Sequence, residues 1–387
     1  MEFLKGTLRY TASVVATAAA VLGAGSLFAA TGSAAPSAAP GSAVATVFAT
    51  GLVNPRGLKF GPDGHLYVAE GGFPIDPTIG APPGEGGLCS AGAGGPGEYF
   101  GSTKGSRISR IDSSRHVETF VDGLPSSQAG GLASGVADVA FVGNTLYAIF
   151  AGAGCSHGVP GIPNGVIRVN PDRSWTMIAN LSAFQQAHPV ANPTDPITGD
   201  FEPDGTWYSM IAVRGDLYAV EPNHGELDRI TPSGHVSRVV DISASQGHVV
   251  PTVVAQHGVF YVSNLGRFDP DSLNTQSVYK ITPSGNIKVV ATGLSKVLGI
   301  AFDRRDRMYV LETSYSTSDP GPEPATARLI RILPNGKQEV LIDGSTGILS
   351  VPAGMTFGPD GALYISNIGF GAPPIGLGQV VRVELIR

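Results

Sequence analysis

The sequence predicts an all-β, six-bladed propeller with four antiparallel strands in each blade, and three observations point there. Of the 387 residues, 42% are hydrophobic and 14% charged, with 53 Gly and 30 Pro. That composition suits many short strands joined by tight turns rather than long helices. A strand anchored by Tyr recurs six times, and the one strand missing from the last repeat is available near the N-terminus. Length alone would allow anything from one large β-architecture to three ordinary domains, so the repetition decides for one closed ring.

The chain opens on what reads as an export leader. Lys5 and Arg9 supply positive charge, Thr11 to Ala30 is a run of mostly small apolar residues, and Gly32-Ser33-Ala34 offers small residues before a cut. Residues 1–34 are therefore expected to be a signal peptide, 35–44 a flexible lead-in and 45–387 the propeller, with the mature protein secreted or extracytoplasmic. An uncleaved anchor is the competing reading, because the run approaches the ~20 apolar residues that span a bilayer. Elsewhere Gly, Pro or a charge breaks every apolar run, so no stable membrane span is expected in the mature chain.

Each repeat begins with a short inner strand, seen in GLKF, VAFV, SMIAV, TVVA, GIAF and GMTF. A tight turn such as Pro62-Asp63-Gly64 or Pro359-Asp360-Gly361 leads to the second strand, anchored by Tyr67, Tyr147, Tyr218, Tyr261, Tyr309 or Tyr364. The third strand reads RISRI, GVIRV, ELDRI, SVYKI, RLIRI and VVRVEL, with alternate residues facing opposite sides of a sheet. Its basic residue (Arg110, Arg168, Arg229, Lys280, Arg331 or Arg382) is expected on the outer wall rather than in a binding stripe. Fourth strands follow in HVETFV, WTMIA, HVSRVV, IKVVA and KQEVLI, and only the last repeat lacks one. Ala45 to Leu52, ATVFATGL, resembles Val289 to Leu294 and would complete the sixth blade, leaving no sheet edge open at the seam.

From FATGLVNPRGLKFGPDGHLYVAEGG onward the chain resembles the ScyD/ScyE family of exported propeller proteins. VLGIAFDRRDRMYVLETS followed by RLIRI is similar to the NHL class of propeller repeats. The resemblance covers essentially everything after the leader and implies an exported propeller. It brings no catalytic residues with it.

A formal net charge of −6 and a pI near 5.7 leave no electrostatic footprint for nucleic acid. The expected partner is an extracellular small molecule or protein, bound by the face that carries the long connections Gly71 to Gly105, Gly152 to Gly165 and Ser182 to Thr206. Polar residues recur just after the Tyr anchors, at Glu70, Glu221, Asn264, Glu312 and Asn367. Oxygen donors from several blades would suit calcium at one mouth of the channel, and the alternative is that they cap strand ends and loop backbones. The calcium pattern is similar in outline to metal-dependent lactonases and gluconolactonase-like propellers, and makes a calcium-dependent lactonase or related hydrolase the alternative function.

Four histidines, His157, His224, His248 and His257, are candidate proton-transfer groups without an assigned role. Gly154-Cys155-Ser156-His157-Gly158 matches Gly-x-Ser-x-Gly, but its Gly/Pro-rich loop lacks the strand-to-helix turn that a nucleophile elbow needs. Gly92, Gly94 and Gly97 have a loose Gly-x-Gly-x-x-Gly spacing, likewise outside a strand-to-helix setting. Cys89 and Cys155, the two cysteines, are expected to form a disulfide in an oxidising compartment, with two free thiols as the other reading.

Overall fold

The strand pattern resolves into six separate sheets in the computed structural model of the protein, which describes residues 43–79, 98–130, 132–159, 161–267, 270–315, 322–369 and 376–386. The leader, Cys89 and the Gly92, Gly94 and Gly97 motif lie outside the described residues.

Blade 1 is built from Pro55–Phe60, Leu66–Glu70, Phe100–Ile111 and Val117–Ala129, with short strands Thr78–Ile79 and Leu132–Ser134 added at one end. Blade 2 comprises Val136–Val142, Thr145–Phe150, Gly165–Val169 and Trp175–Asn180. Blade 3 takes Ser209–Val213, Asp216–Glu221, Glu226–Ile230 and Val236–Asp241, and blade 4 takes Pro251–His257, Val259–Asn264, Gln276–Ile281 and Ile287–Leu294. Val297–Phe302, Met308–Glu312, Arg328–Ile332 and Gln338–Asp343 make blade 5. In blade 6, Gly354–Phe357, Leu363–Asn367 and Gly378–Leu385 are completed by Ala43–Leu52, which pairs antiparallel with register Ala43↔Leu385 and Leu52↔Gly378. The closing strand thus starts at Ala43, two residues before the expected domain boundary.

A four-stranded blade has two faces to cover, and its neighbours cover them. Tyr67 and Ile108 of blade 1 pack with Val139 and Phe150 of blade 2. At the seam, Leu52 and Tyr364 of blade 6 share a buried cluster with Leu58 and Val68 of blade 1. The Tyr anchors have a second use: the hydroxyls of Tyr67, Tyr309 and Tyr364 donate to Asp63, Asp303 and Asp360 at 2.9, 3.1 and 3.2 Å, tying each second strand to its own hairpin turn.

Four of the basic residues of the third strands form ion pairs within their blades, Arg110 with Glu118 at 2.6 Å, Arg229 with Asp216 at 2.6 Å, Arg331 with Glu339 at 2.5 Å and Arg382 with Asp360 at 2.8 Å. A short helix, Leu181–Ala187, opens the long connection from Ser182 to Thr206. Asn180 caps that helix by accepting from the Ala183 N–H at 2.9 Å.

Along the ring axis the inner strands close tightly. Gly57 is required there, since a Cβ would lie 1.9 Å from Asp138 Oδ1. Asp138 is buried and accepts from the N–H groups of Val139 at 2.8 Å and Met210 at 2.9 Å. What remains of the channel at this level is about 30 Å³, space for a water molecule and little else.

Candidate functional site

Above this constriction, on the face of the long connections, the channel opens into a cavity of about 300 Å³. Much of its described lining comes from the first residues of inner strands and from residues just beyond second strands, and Tyr99, Asp200, Glu202 and Thr206 join it from the connections. The floor is shared with the constriction through Tyr208 and Leu298. Tyr208 Oη accepts from Arg56 Nη1 at 3.0 Å and donates to the Ala353 carbonyl at 3.3 Å, which joins blades 3, 1 and 6 across the axis.

One wall is acidic. Asp200 and Glu202 come from the connection between blades 2 and 3, and both line the cavity with Asn223. Their loop is held from three sides. Asp195 N–H donates to the Asp200 carbonyl at 3.0 Å, Asn223 Oδ1 accepts from the Glu202 N–H at 2.7 Å, and Glu221 Oε1 accepts from the Thr206 N–H at 2.9 Å. His224 Nε2–H donates to the Glu202 carbonyl at 2.9 Å. Burial takes the His224 imidazolium down to about 4, so the ring is neutral at ordinary pH and acts as a donor from Nε2.

Glu202 is enclosed. Tyr99 Oη donates to Oε1 at 2.5 Å, and His157 Nε2 stands 3.6 Å from Oε2. Burial favours the neutral acid, but the nearby His157 ring, with the Tyr99 hydroxyl, outweighs it and holds this carboxyl below its ordinary range. Asp200 is pushed up to about 7, first by burial and then by the charge of Glu202, with an Asn223 hydrogen bond opposing. Neighbouring carboxyls thus have separated protonation, the arrangement that lets one stay ionised while the other trades a proton near neutrality. His248 Nε2 is 4.0 Å from Asp200 Oδ2.

Three of the four candidate histidines therefore meet at this acidic pair. His257 does not, and pairs instead with Asp306 at 3.3 Å and stacks on Phe302. Ser156 is buried in a turn. Its hydroxyl donates to Asp204 Oδ2 at 2.6 Å and lies 3.3 Å from His157 Nδ1, so its proton points at a carboxylate instead of a base that would activate it. Cys155 sits beside it, and its expected partner Cys89 is outside the described residues.

The five strand-end residues occupy equivalent places, but each works within its own part of the ring. Glu70 accepts from Val53 N–H at 2.5 Å and pairs with Arg107 at 2.8 Å; Glu312 accepts from Ser295 N–H at 2.8 Å and pairs with Arg328 at 2.6 Å. Glu221 is ringed by the backbone N–H groups of Thr206, Asn223, His224 and Gly225. Asn264 Oδ1 accepts from Ser277 N–H at 2.9 Å and Asn367 Oδ1 from Ser350 N–H at 2.8 Å. Calcium takes six to eight oxygens, and each of these five side chains already accepts at least one backbone N–H. Among the described residues, no three His, Cys, Asp or Glu side chains gather in a metal-holding group.

The acidic pair, Tyr99, Arg56 and Tyr208 were missed in the sequence. A signal existed in DFEPDG, residues 200–205, where alternate carboxylates fall in a long connection.

No family model matches the chain. A gluconolactonase from Zymomonas mobilis subsp. mobilis is 23% identical over 215 residues, a match covering 51% of this chain and 58% of the relative. The chain thus spans less than two thirds of that relative's length. Among solved structures, a glucose dehydrogenase-type oxidoreductase from Thermus thermophilus superimposes with a TM-score of 0.55 at 18% identity, covering 89% of this chain and all of that one. The soluble aldose sugar dehydrogenase from Escherichia coli, in its apo form, gives 0.52 at 13% identity, with coverage of 89% and 100%. These likenesses show a shared propeller fold. No helix among the described residues is long and apolar enough to cross a membrane.

Proposed function

We propose that this chain is a lactonase that opens a small cyclic ester in the cavity on the loop-rich mouth of the ring. One observation carries the reading: two adjoining carboxyls, Asp200 and Glu202, and the guanidinium of Arg56 line the same 300 Å³ space. The similarity to a gluconolactonase supports it from a separate direction.

Asp200, whose carboxyl is pushed up to about 7 by burial and by Glu202, takes a proton from a water molecule as the water oxygen attacks the ester carbonyl. The carbon–oxygen bond of the ring then breaks, and Asp200 returns the proton to the departing ring oxygen, giving the hydroxy acid. General acid–base catalysis of this kind contributes about 10²- to 10⁴-fold. Arg56, the one cationic side chain in the described lining, offsets the charge that develops on the carbonyl oxygen. Glu202 stays ionised and sustains the raised proton affinity of Asp200.

Lys5, Arg9 and the apolar run after them support an exported setting, as does the resemblance to the ScyD/ScyE family. The test is hydrolysis of a panel of five- and six-membered lactones, followed by pH-stat titration, with the parent protein and Asp200→Asn. Turnover that falls at least a hundredfold in the variant, with the fold kept, supports the reading. Absence of turnover across the panel, or turnover indifferent to the substitution, removes it.

A further inference from the structure

We infer that the ligand of this cavity is a ring ester carrying an apolar substituent, and that a polyhydroxylated sugar lactone is a poor fit. The word ester rests on the lactonase reading; the apolar substituent rests on the lining alone. In the same lining, Leu265 and Leu298 belong to a hydrophobic cluster that continues through Ala353 and takes in Leu132, Val250 and the ring of Tyr208. Blades 1, 3, 4, 5 and 6 all contribute, so the apolar wall is a property of the whole mouth and not of one loop.

The polar side chains of the lining are mostly occupied by the protein. Thr252 donates to the Val297 carbonyl at 2.6 Å, Thr206 to the Ala151 carbonyl at 3.1 Å, and Tyr99 to Glu202. Tyr208 is held between Arg56 and Ala353, and the Asn223 oxygen by the Glu202 N–H. Asp200 Oδ1 and Glu202 Oε2 are the buried carboxylate oxygens here that lack a hydrogen-bond partner. They are neighbours on one wall. A polyol spreads hydroxyls around its ring, and most would meet Leu, Val or Ala, losing water without gaining a partner. An alkyl or aryl substituent would instead displace water from that wall, with affinity rising about fourfold per buried methylene until the space is filled. A volume of about 300 Å³ lies at the small end of small-molecule sites, which sets a compact substituent.

The experiment compares δ-valerolactone, δ-octalactone, δ-decalactone and glucono-δ-lactone in two ways, by calorimetric binding to Asp200→Asn and by turnover with the parent protein. Binding that tightens along the alkyl series, with glucono-δ-lactone at least tenfold weaker, is expected. Leu132→Asn and Val250→Thr, at partly exposed wall positions, should each weaken δ-decalactone three- to tenfold and glucono-δ-lactone by less. Alkyl-length-dependent binding with no turnover of any lactone would keep the apolar ligand and remove the lactonase. Turnover of glucono-δ-lactone at equal or higher kcat/KM would keep the lactonase and overturn the inference, as would alkyl lactones that do not bind.

Discussion

Tyr208 and Arg56 meet over the axis of the ring, hydroxyl oxygen to Nη1 at 3.0 Å, although 152 residues separate them in the chain. This contact forms the floor of the cavity and links blade 3 to blade 1 at a level where the channel holds about 30 Å³. Tyr208→Phe keeps the ring and removes the oxygen that accepts from Arg56, leaving a buried donor short of one partner. The expected cost is about 1–3 kcal/mol, read as a lower urea midpoint with unchanged m-value. An unchanged midpoint would show that the tie adds nothing to stability.

The rate should rise with pH around neutrality. A general base works ionised, and the Asp200 carboxyl titrates at about 7 because burial and Glu202 raise it. A plot of kcat/KM against pH for the preferred lactone is expected to climb through about 7, and Glu202→Gln should move the midpoint down by removing the neighbouring charge. A profile flat from pH 5 to 9 would show that Asp200 is not the base.

Stability should run the other way. Burial raises Glu221 and Glu226 to about 7 in the folded chain, above the ordinary 4.5. Between those values the folded state holds more protons than the unfolded one, so stability falls as pH rises from about 5 to 8. Each group contributes up to about 3 kcal/mol to that fall. Urea unfolding at pH 5 and at pH 8 measures it, and Glu226→Gln should shrink the difference. Greater stability at pH 8 would contradict the assignment of these carboxyls as buried acids.

The seam is the fourth test. Leu52, fully buried, sits at the end of the N-terminal strand and packs against blade 1 while its backbone completes blade 6. Leu52→Ala should cost about 2–5 kcal/mol. Its thermal unfolding should remain one transition, because the strand belongs to both ends of the ring. A separate early transition would mean that the seam opens independently.

Sequence repetition determined the architecture. Six Tyr-anchored strands, the apolar alternation around them and the orphan segment ATVFATGL specify blades and their closure, because strand pairing and turn chemistry are local and repeat with the chain. It also pointed to the face of the long connections, where the cavity lies. The site itself was decided by tertiary structure. Glu221 is conspicuous from its place in the repeat and accepts from the Thr206 N–H, whereas Asp200 and Glu202 follow no repeat at all. Their character comes from burial, from Tyr99 reaching in from blade 1 and from His157 in the loop after the second strand of blade 2. Contacts between residues a hundred positions apart, and the desolvation that shifts a carboxyl to about 7, are set by how the ring closes and leave no period in the chain to read.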